Sequence, residues 1–301
     1  MTTPHKRFNM GGIHTVVYNL DAALASPHPI AVLVASHGLM GKQFDLKNLV
    51  AGILEGTRKL EQQDQDGRTR RREIVIVTLD QRNHGERFVD DEANQYLAKN
   101  ERHPLDLYSL FRGTTSDVSG LIDIIPSYLF PHDEKTVEEF WMTGISLGGH
   151  VTYQLLTHDP RVRLGIPIIG CPDYTSLTTS RMRSHGQPCI FPQTLQTLLK
   201  RTDPINSPFD TSDPKVNPFW NKKLLVLTGQ ADDVVPAALG EPFYDRLQVG
   251  PEGVKERWSQ EGCGHRCSKE MIERAAEFLW KHGLSEGGSG EQQGQGGKSM
   301  L

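Results

Sequence analysis

Ser146 lies in the run Gly144-Ile145-Ser146-Leu147-Gly148-Gly149, between the apolar stretch 140–142 and a helix-like stretch over 150–156. A G-x-S-x-G pentapeptide between a strand and a helix forces a sharp turn that holds the serine hydroxyl out at the end of the strand. The positions two before and two after the serine crowd the backbone, so glycine suits both. A serine hydroxyl is a poor nucleophile until a histidine takes its proton and a carboxylate fixes that histidine's tautomer. Both partners are on offer further along the chain. Gly229-Gln230-Ala231-Asp232-Asp233-Val234-Val235-Pro236 follows the apolar run 224–228, and Gly262-Cys263-Gly264-His265 follows 254–259. Ser146, Asp232 and His265 thus each fall at the end of a separate strand, in an order that a parallel sheet can gather at one edge. Asp232 is the expected acid. Its neighbour Asp233 competes for the role but could instead cap the helix begun at Val235-Pro236.

Acyl chemistry at a serine also needs donors for the oxyanion. The Leu147 amide, first of the helix after Ser146, is the expected first donor. The run 30–35 leads into Ser36-His37-Gly38-Leu39-Met40-Gly41. Glycine lets that backbone approach closely, so the Leu39 amide is the expected second donor, with Met40 next. His37 is expected to be hydrogen-bonded beneath this loop rather than to act as a second base.

These groups need a scaffold. Short β-rich runs over 13–18, 30–35, 74–79, 140–144, 164–169, 224–228 and 254–259 alternate with longer helical patterns. That rhythm predicts an α/β chain: a mostly parallel, doubly wound sheet with helices on both faces. Helices are expected over 46–60, over 105–129 until Pro126 disturbs it, and over 269–282 with Ser268 as N-cap. Residues 171–221 break the rhythm: they are rich in proline, show no strand, and hold one short helical piece over 193–200. So long an excursion reads as a small inserted cap, or lid, on one domain spanning 1–283. Residues 284–301, rich in glycine and glutamine, bury too little to order themselves and are expected to form a disordered tail.

With 301 residues, 37% hydrophobic and 23% charged, the chain can bury a real core. Its net charge of −4 gives no general pull toward nucleic acid or an anionic membrane. The basic run Arg68, Arg70, Arg71, Arg72 reads as a solvated loop. No apolar run approaches the ~20 residues of a membrane span, and the first ten residues lack the apolar core of a signal peptide. Four cysteines, at 171, 189, 263 and 267, make no disulfide framework and suit a reducing cytoplasmic setting. The closing Ser299-Met300-Leu301 is a loose relative of the peroxisomal Ser-Lys-Leu address. Cys263, His265 and Cys267 lack the second ligand pair of a zinc site, so neither metal nor other cofactor is expected.

The set His37-Gly38, Gly144-x-Ser146-x-Gly148-Gly149, Gly229-x-x-Asp232-x-x-Val235-Pro236 and Gly264-His265 resembles the α/β-hydrolase superfamily of serine hydrolases, over nearly the whole of 13–283. Asp80-Gln81-Arg82-Asn83-His84-Gly85 is similar to the Asp-x-Arg-x-His-Gly loop of many serine esterases in it. The double glycine after the elbow, Gly170-Cys171-Pro172-Asp173-Tyr174 and Asp203-Pro204-Ile205-Asn206 resemble its prolyl-oligopeptidase-like and dienelactone-hydrolase-like small esterases. The resemblance implies hydrolysis of a carboxylic ester of a small or medium organic molecule. It argues against an oligopeptidase, for want of a propeller. It also argues against dienelactone opening, because Ser146 stands where those enzymes carry cysteine. A thioesterase or acyl transferase would use the same three residues, and a non-catalytic ligand-binding relative would keep only the fold. In residues 171–221, Tyr174, Leu177, Met182, Ile190 and Phe191 are equally suited to line an acyl pocket or to form the cap's own core.

Overall fold

The computed structural model describes residues 3–63, 67–186 and 191–287. Ten strands form: β1 (His5–Met10), β2 (Ile13–Tyr18), β3 (Ile30–Ser36), β4 (Thr69–Arg70), β5 (Glu73–Leu79), β6 (Val137–Ile145), β7 (Val162–Ile168), β8 (Lys223–Gly229), β9 (Val254–Gln260) and β10 (Ser285–Glu286). The helices are α1 (Leu20–Ala25), α2 (Lys47–Gln63), α3 (His103–Leu129), α4 (Leu147–His158), α5 (Tyr174–Ser184), α6 (Gln193–Thr202), α7 (Glu241–Arg246) and α8 (Lys269–Leu279). Eight strands make one sheet in the order β1-β2-β5-β3-β6-β7-β8-β9. Every neighbouring pair from β5 to β9 is parallel, while β2 runs antiparallel to both β1 and β5.

The central strands are apolar throughout because both faces are covered. Alternate residues of β3 divide between two cores: Ile30, Val32 and Val34 face α3 and α4, with Val118, Leu121, Val151 and Leu155. Ala31, Leu33 and Ala35 face α2 and α8, with Leu49, Ile53, Met271 and Leu279. The expected mostly parallel, doubly wound sheet is therefore present, and the ends of β3, β6, β8 and β9 carry the chemistry-bearing loops.

Several elements depart from expectation. β1 was not legible because only Met10 of its six residues is buried. As an edge strand covered on little of its surface, it carries no alternating pattern. Gly11 and Gly12, at φ 60° and 86°, make the tight turn that pairs it with β2. α3 runs past Pro126 to Leu129, since a proline so near the C-terminal end removes one N–H without ending the helix. α5 was also unexpected: its Thr, Ser and Arg content gives a weak apolar stripe, but Asp173 caps it by accepting from the Ser176 N–H at 2.8 Å.

Arg71 of the basic run is exposed, but Arg70 and Arg72 are not solvated. Arg70 is paired to Glu61 at 2.6 Å and lies against the Trp280 ring, and the buried Arg72 is paired to Glu138 at 2.7 Å and to Glu139 at 3.2 Å. Their partners are up to 67 positions away, so local composition could not reveal them. The ordered chain also continues beyond 283: Ser285↔Arg70 and Glu286↔Thr69 pair β10 with β4. The rest of the expected tail, from 288, lies outside the described residues. Among the described residues no helix is long and apolar enough to cross a membrane.

Candidate active site

Ser146 occupies the turn between β6 and α4 with φ 55° and ψ −107°, a conformation costing a non-glycine residue ~1–3 kcal/mol. Two backbone bonds oppose that strain: Ser146 N–H donates to Ile168 O at 2.9 Å and Gly148 N–H to His37 O at 3.0 Å. The glycine requirement is geometric. A Cβ on Gly144 would lie 2.4 Å from the Gly148 carbonyl, and one on Gly148 would lie 2.2 Å from Ser36 O.

The loops after β6, β8 and β9 bring Ser146, Asp232 and His265 into one hydrogen-bonded chain. Ser146 Oγ and His265 Nε2 are 2.8 Å apart, and His265 Nδ1 lies 2.8 Å from Asp232 Oδ2. Asp232 is buried, and its other oxygen, Oδ1, accepts from the N–H groups of Val234 at 3.0 Å and Val235 at 2.8 Å. Those bonds fix the carboxylate's orientation before the histidine engages it. Asp233 is exposed and outside this chain.

The Leu39 loop closes over the same spot, and Leu39 and Leu147 both border the space above Ser146. Met40, the other candidate donor, has its N–H committed to His84 Nε2 at 2.9 Å, with Met40 itself at φ 62°. That acceptor role requires a neutral His84 whose proton sits on Nδ1, where it donates to Arg82 O at 2.9 Å. Burial holds the His84 pKa below its ordinary value, consistent with this tautomer. His37 is likewise neutral, its pKa pushed down to about 4 by burial. Its Nδ1–H donates to Gly38 O at 2.8 Å while Nε2 accepts from the Gln81 N–H at 3.1 Å. It therefore sits beneath the loop as a strut.

The Asp80–Arg87 segment braces the loop from behind. Asp80 accepts from the N–H groups of Gln43 at 2.7 Å and Glu86 at 2.9 Å. Arg82 and Arg87 both bind Asp117 on α3, at 2.8 and 2.7 Å.

The space over Ser146 is narrow, about 20 Å³, room for about one water. His150 of α4, buried and neutral with its pKa pushed down to about 3, forms part of its wall and stacks on Phe111 at 4.7 Å. Arg181 of α5 forms another part, a residue that sequence patterns did not single out. Of the apolar side chains equally suited to an acyl pocket or to the cap's own core, the described ones, Tyr174, Leu177, Met182 and Phe191, do not border this space. Tyr174 packs with Leu107, Phe111 and Leu195, Leu177 packs with Cys171 and Val235, and Met182 is buried. Ile190 lies outside the described residues. A larger groove of about 800 Å³ runs between α2 and α8. Its one thiol, Cys267, has a pKa pushed up to about 12 by burial, so no ready nucleophile sits there.

No protein-family model and no curated protein matches the sequence. Solved structures do. TT1662 from Thermus thermophilus aligns at TM-score 0.68 and 23% identity, over 94% of this chain and 98% of that one. The esterase Pf2001 from Pyrococcus furiosus aligns at 0.53 and 16%, over 93% of each chain. The acylaminoacyl peptidase from Pyrococcus horikoshii aligns at 0.53 and 14%, over 93% of this chain but 41% of its own. At such identities the likeness speaks for architecture alone: a mostly parallel eight-stranded sheet with flanking helices. The chain has the α/β-hydrolase fold.

Proposed function

We propose that this protein is a serine hydrolase that cleaves a carboxylic ester of a small organic molecule through an acyl-enzyme on Ser146. The observation that carries the reading is the pair of 2.8 Å contacts linking Ser146 Oγ, His265 and Asp232. Ser146 attacks the ester carbonyl as its proton passes to His265 Nε2, and Asp232 stabilises the imidazolium without taking the proton. The Leu147 and Leu39 amides receive the oxyanion, a contribution worth ~10²–10³ in turnover per donor. His265 then gives its proton to the leaving alkoxide. Water attacks the acyl-enzyme with His265 again as base, releasing the acid and restoring Ser146. The narrow space over Ser146 favours a small acyl group, and residues 171–221 act as the cap that admits it. Neighbours of the same fold include an esterase and a peptidase. An ester is preferred here because the space bordering Ser146 among the described residues is narrow.

The test pairs a fluorophosphonate probe with p-nitrophenyl acetate. The protein is expected to be labelled once, at Ser146, and Ser146→Ala to lower turnover by ~10⁵–10⁶ while remaining folded. Ester hydrolysis that survives intact in Ser146→Ala would overturn the mechanism, and absence of labelling would leave a ligand-binding protein.

A further inference from the structure

Among the described residues Arg181 is the one strong cation bordering the space over Ser146, and its surroundings do not neutralise it. Nε and Nη2 both donate to a single backbone oxygen, Val234 O, at 3.1 and 3.0 Å. Nη1 has no hydrogen-bond partner among the described residues, and the guanidinium makes no ion pair among them. The carboxylate that acts on it, Asp232, has both oxygens occupied by His265 and two backbone amides. The side chain is nonetheless largely enclosed, and that enclosure disfavours its charge. A desolvated cation is costly unless an anion meets it. Proteins seldom leave a guanidinium in that state facing empty space, and guanidinium geometry matches a carboxylate through two parallel N–H donors.

We propose that Arg181 recognises a carboxylate on the substrate, so that the preferred ester is a monoanion with its charge a few atoms from the scissile carbonyl. This rests on the hydrolase reading for the location of the scissile bond, but not for the anion site itself. Carboxylate is favoured over phosphate because no second Lys or Arg among the described residues borders the space, and one guanidinium balances one negative charge. The histidines nearby, His150 and His103, feel the Arg181 charge and are held neutral by burial, so they add no second cation.

Two measurements test the assignment. Binding of glutarate, monomethyl glutarate and inorganic phosphate to the full chain is read by calorimetry, with Arg181→Gln and Arg181→Lys beside it. The carboxylates should bind at least tenfold more tightly than phosphate, Arg181→Gln should weaken them ~10–100-fold, and Arg181→Lys should recover part of the loss. Separately, kcat/KM is measured for p-nitrophenyl hemiglutarate and for the isosteric uncharged p-nitrophenyl 5-methylhexanoate. A second pair, the charge on the alcohol side, is phenyl acetate with and without a meta-carboxylate. The anionic-to-neutral ratio should exceed one for one of these pairs and fall at least tenfold in Arg181→Gln, chiefly through KM. Equal losses on charged and uncharged esters would overturn the assignment and make Arg181 a brace for the Val234 turn. An unchanged ratio, or glutarate binding indifferent to Arg181→Gln, would also overturn it. Failure of the hydrolase reading is distinguishable: no ester would turn over and Ser146 would not label, while the binding arm still decides the anion site.

Discussion

His84 touches neither Ser146 nor the space above it, yet its replacement should slow the reaction. Its Nε2 is the acceptor for the Met40 N–H at 2.9 Å, one residue beyond the Leu39 amide assigned to the oxyanion. Met40 is held at φ 62°, where a non-glycine residue needs an outside restraint. His84→Ala removes that acceptor from a part-buried donor. Such a loss costs ~1–2 kcal/mol, the lower part of the range for unsatisfied buried groups, because Met40 itself is exposed. If the loop relaxes to re-satisfy the donor, the Leu39 N–H swings off the oxyanion position, and a displacement of ~1 Å is enough for a large kinetic loss. The expected result is a ~10–100-fold fall in kcat with KM nearly unchanged, bounded above by the loss of one whole donor. His84→Gln, whose amide oxygen can accept from the same N–H, should recover part of the rate. The assay is steady-state hydrolysis of p-nitrophenyl acetate alongside urea unfolding of each variant. A variant His84→Ala that loses stability but keeps wild-type kcat would refute the coupling, since the loop would then be held by His37 and Gln81 alone.

Two further outcomes follow from the same contacts. Asp232→Asn should lower turnover by ~10⁴ by favouring the wrong imidazole tautomer, whereas the exposed Asp233→Asn should change it less than twofold; parallel kinetics on both variants decide between the two acids. Stability should fall on mild acidification, because His37 and His150 are neutral in the fold, pushed down from 6.5 to about 4 and about 3, but take up protons once unfolded. Their contribution is complete above pH 6.5 and shrinks as pH falls toward 4. With each group losing ~1.4 kcal/mol per pH unit at most, urea unfolding at pH 7 and pH 5 should differ by ~2–4 kcal/mol. His37→Gln should flatten that slope by close to half, and an unchanged slope would place the acid sensitivity elsewhere.

What the sequence disclosed and what it hid divide along a physical line. The turn at Ser146 and the order of the three loops along the chain are covalent facts: glycine at 144 and 148 is demanded by backbone contacts under 2.5 Å, and the strands' succession along the chain is marked by alternating apolar runs. Asp232 could be preferred to Asp233 by spacing, since only one of two adjacent side chains on a turn can point to the histidine. Other features depend on what is absent or distant in sequence. The Asp-x-Arg-x-His-Gly loop was visible as a pattern, but the bond that gives His84 a purpose reaches back 44 residues to Met40. Arg70 and Arg72 looked like solvent-facing charge because Glu61 and Glu138 lie outside any local window.

Arg181 was hidden for a sharper reason. An arginine on a polar helix is ordinary, and becomes informative only when it is enclosed, faces Ser146, and lacks an acid. Each of those conditions is tertiary. The same reasoning bears on substrate choice within this fold: the proposed nucleophile, base and acid sit at three strand ends, but Arg181, which borders the same space, comes from α5, whose sequence is free of that constraint. A change at 181 can therefore redirect the charge preference while leaving the relay from Asp232 to Ser146 in place. On the proposed reading, substrate class is best sought in the charge that α5 presents at Arg181, rather than in the residues proposed to perform the attack.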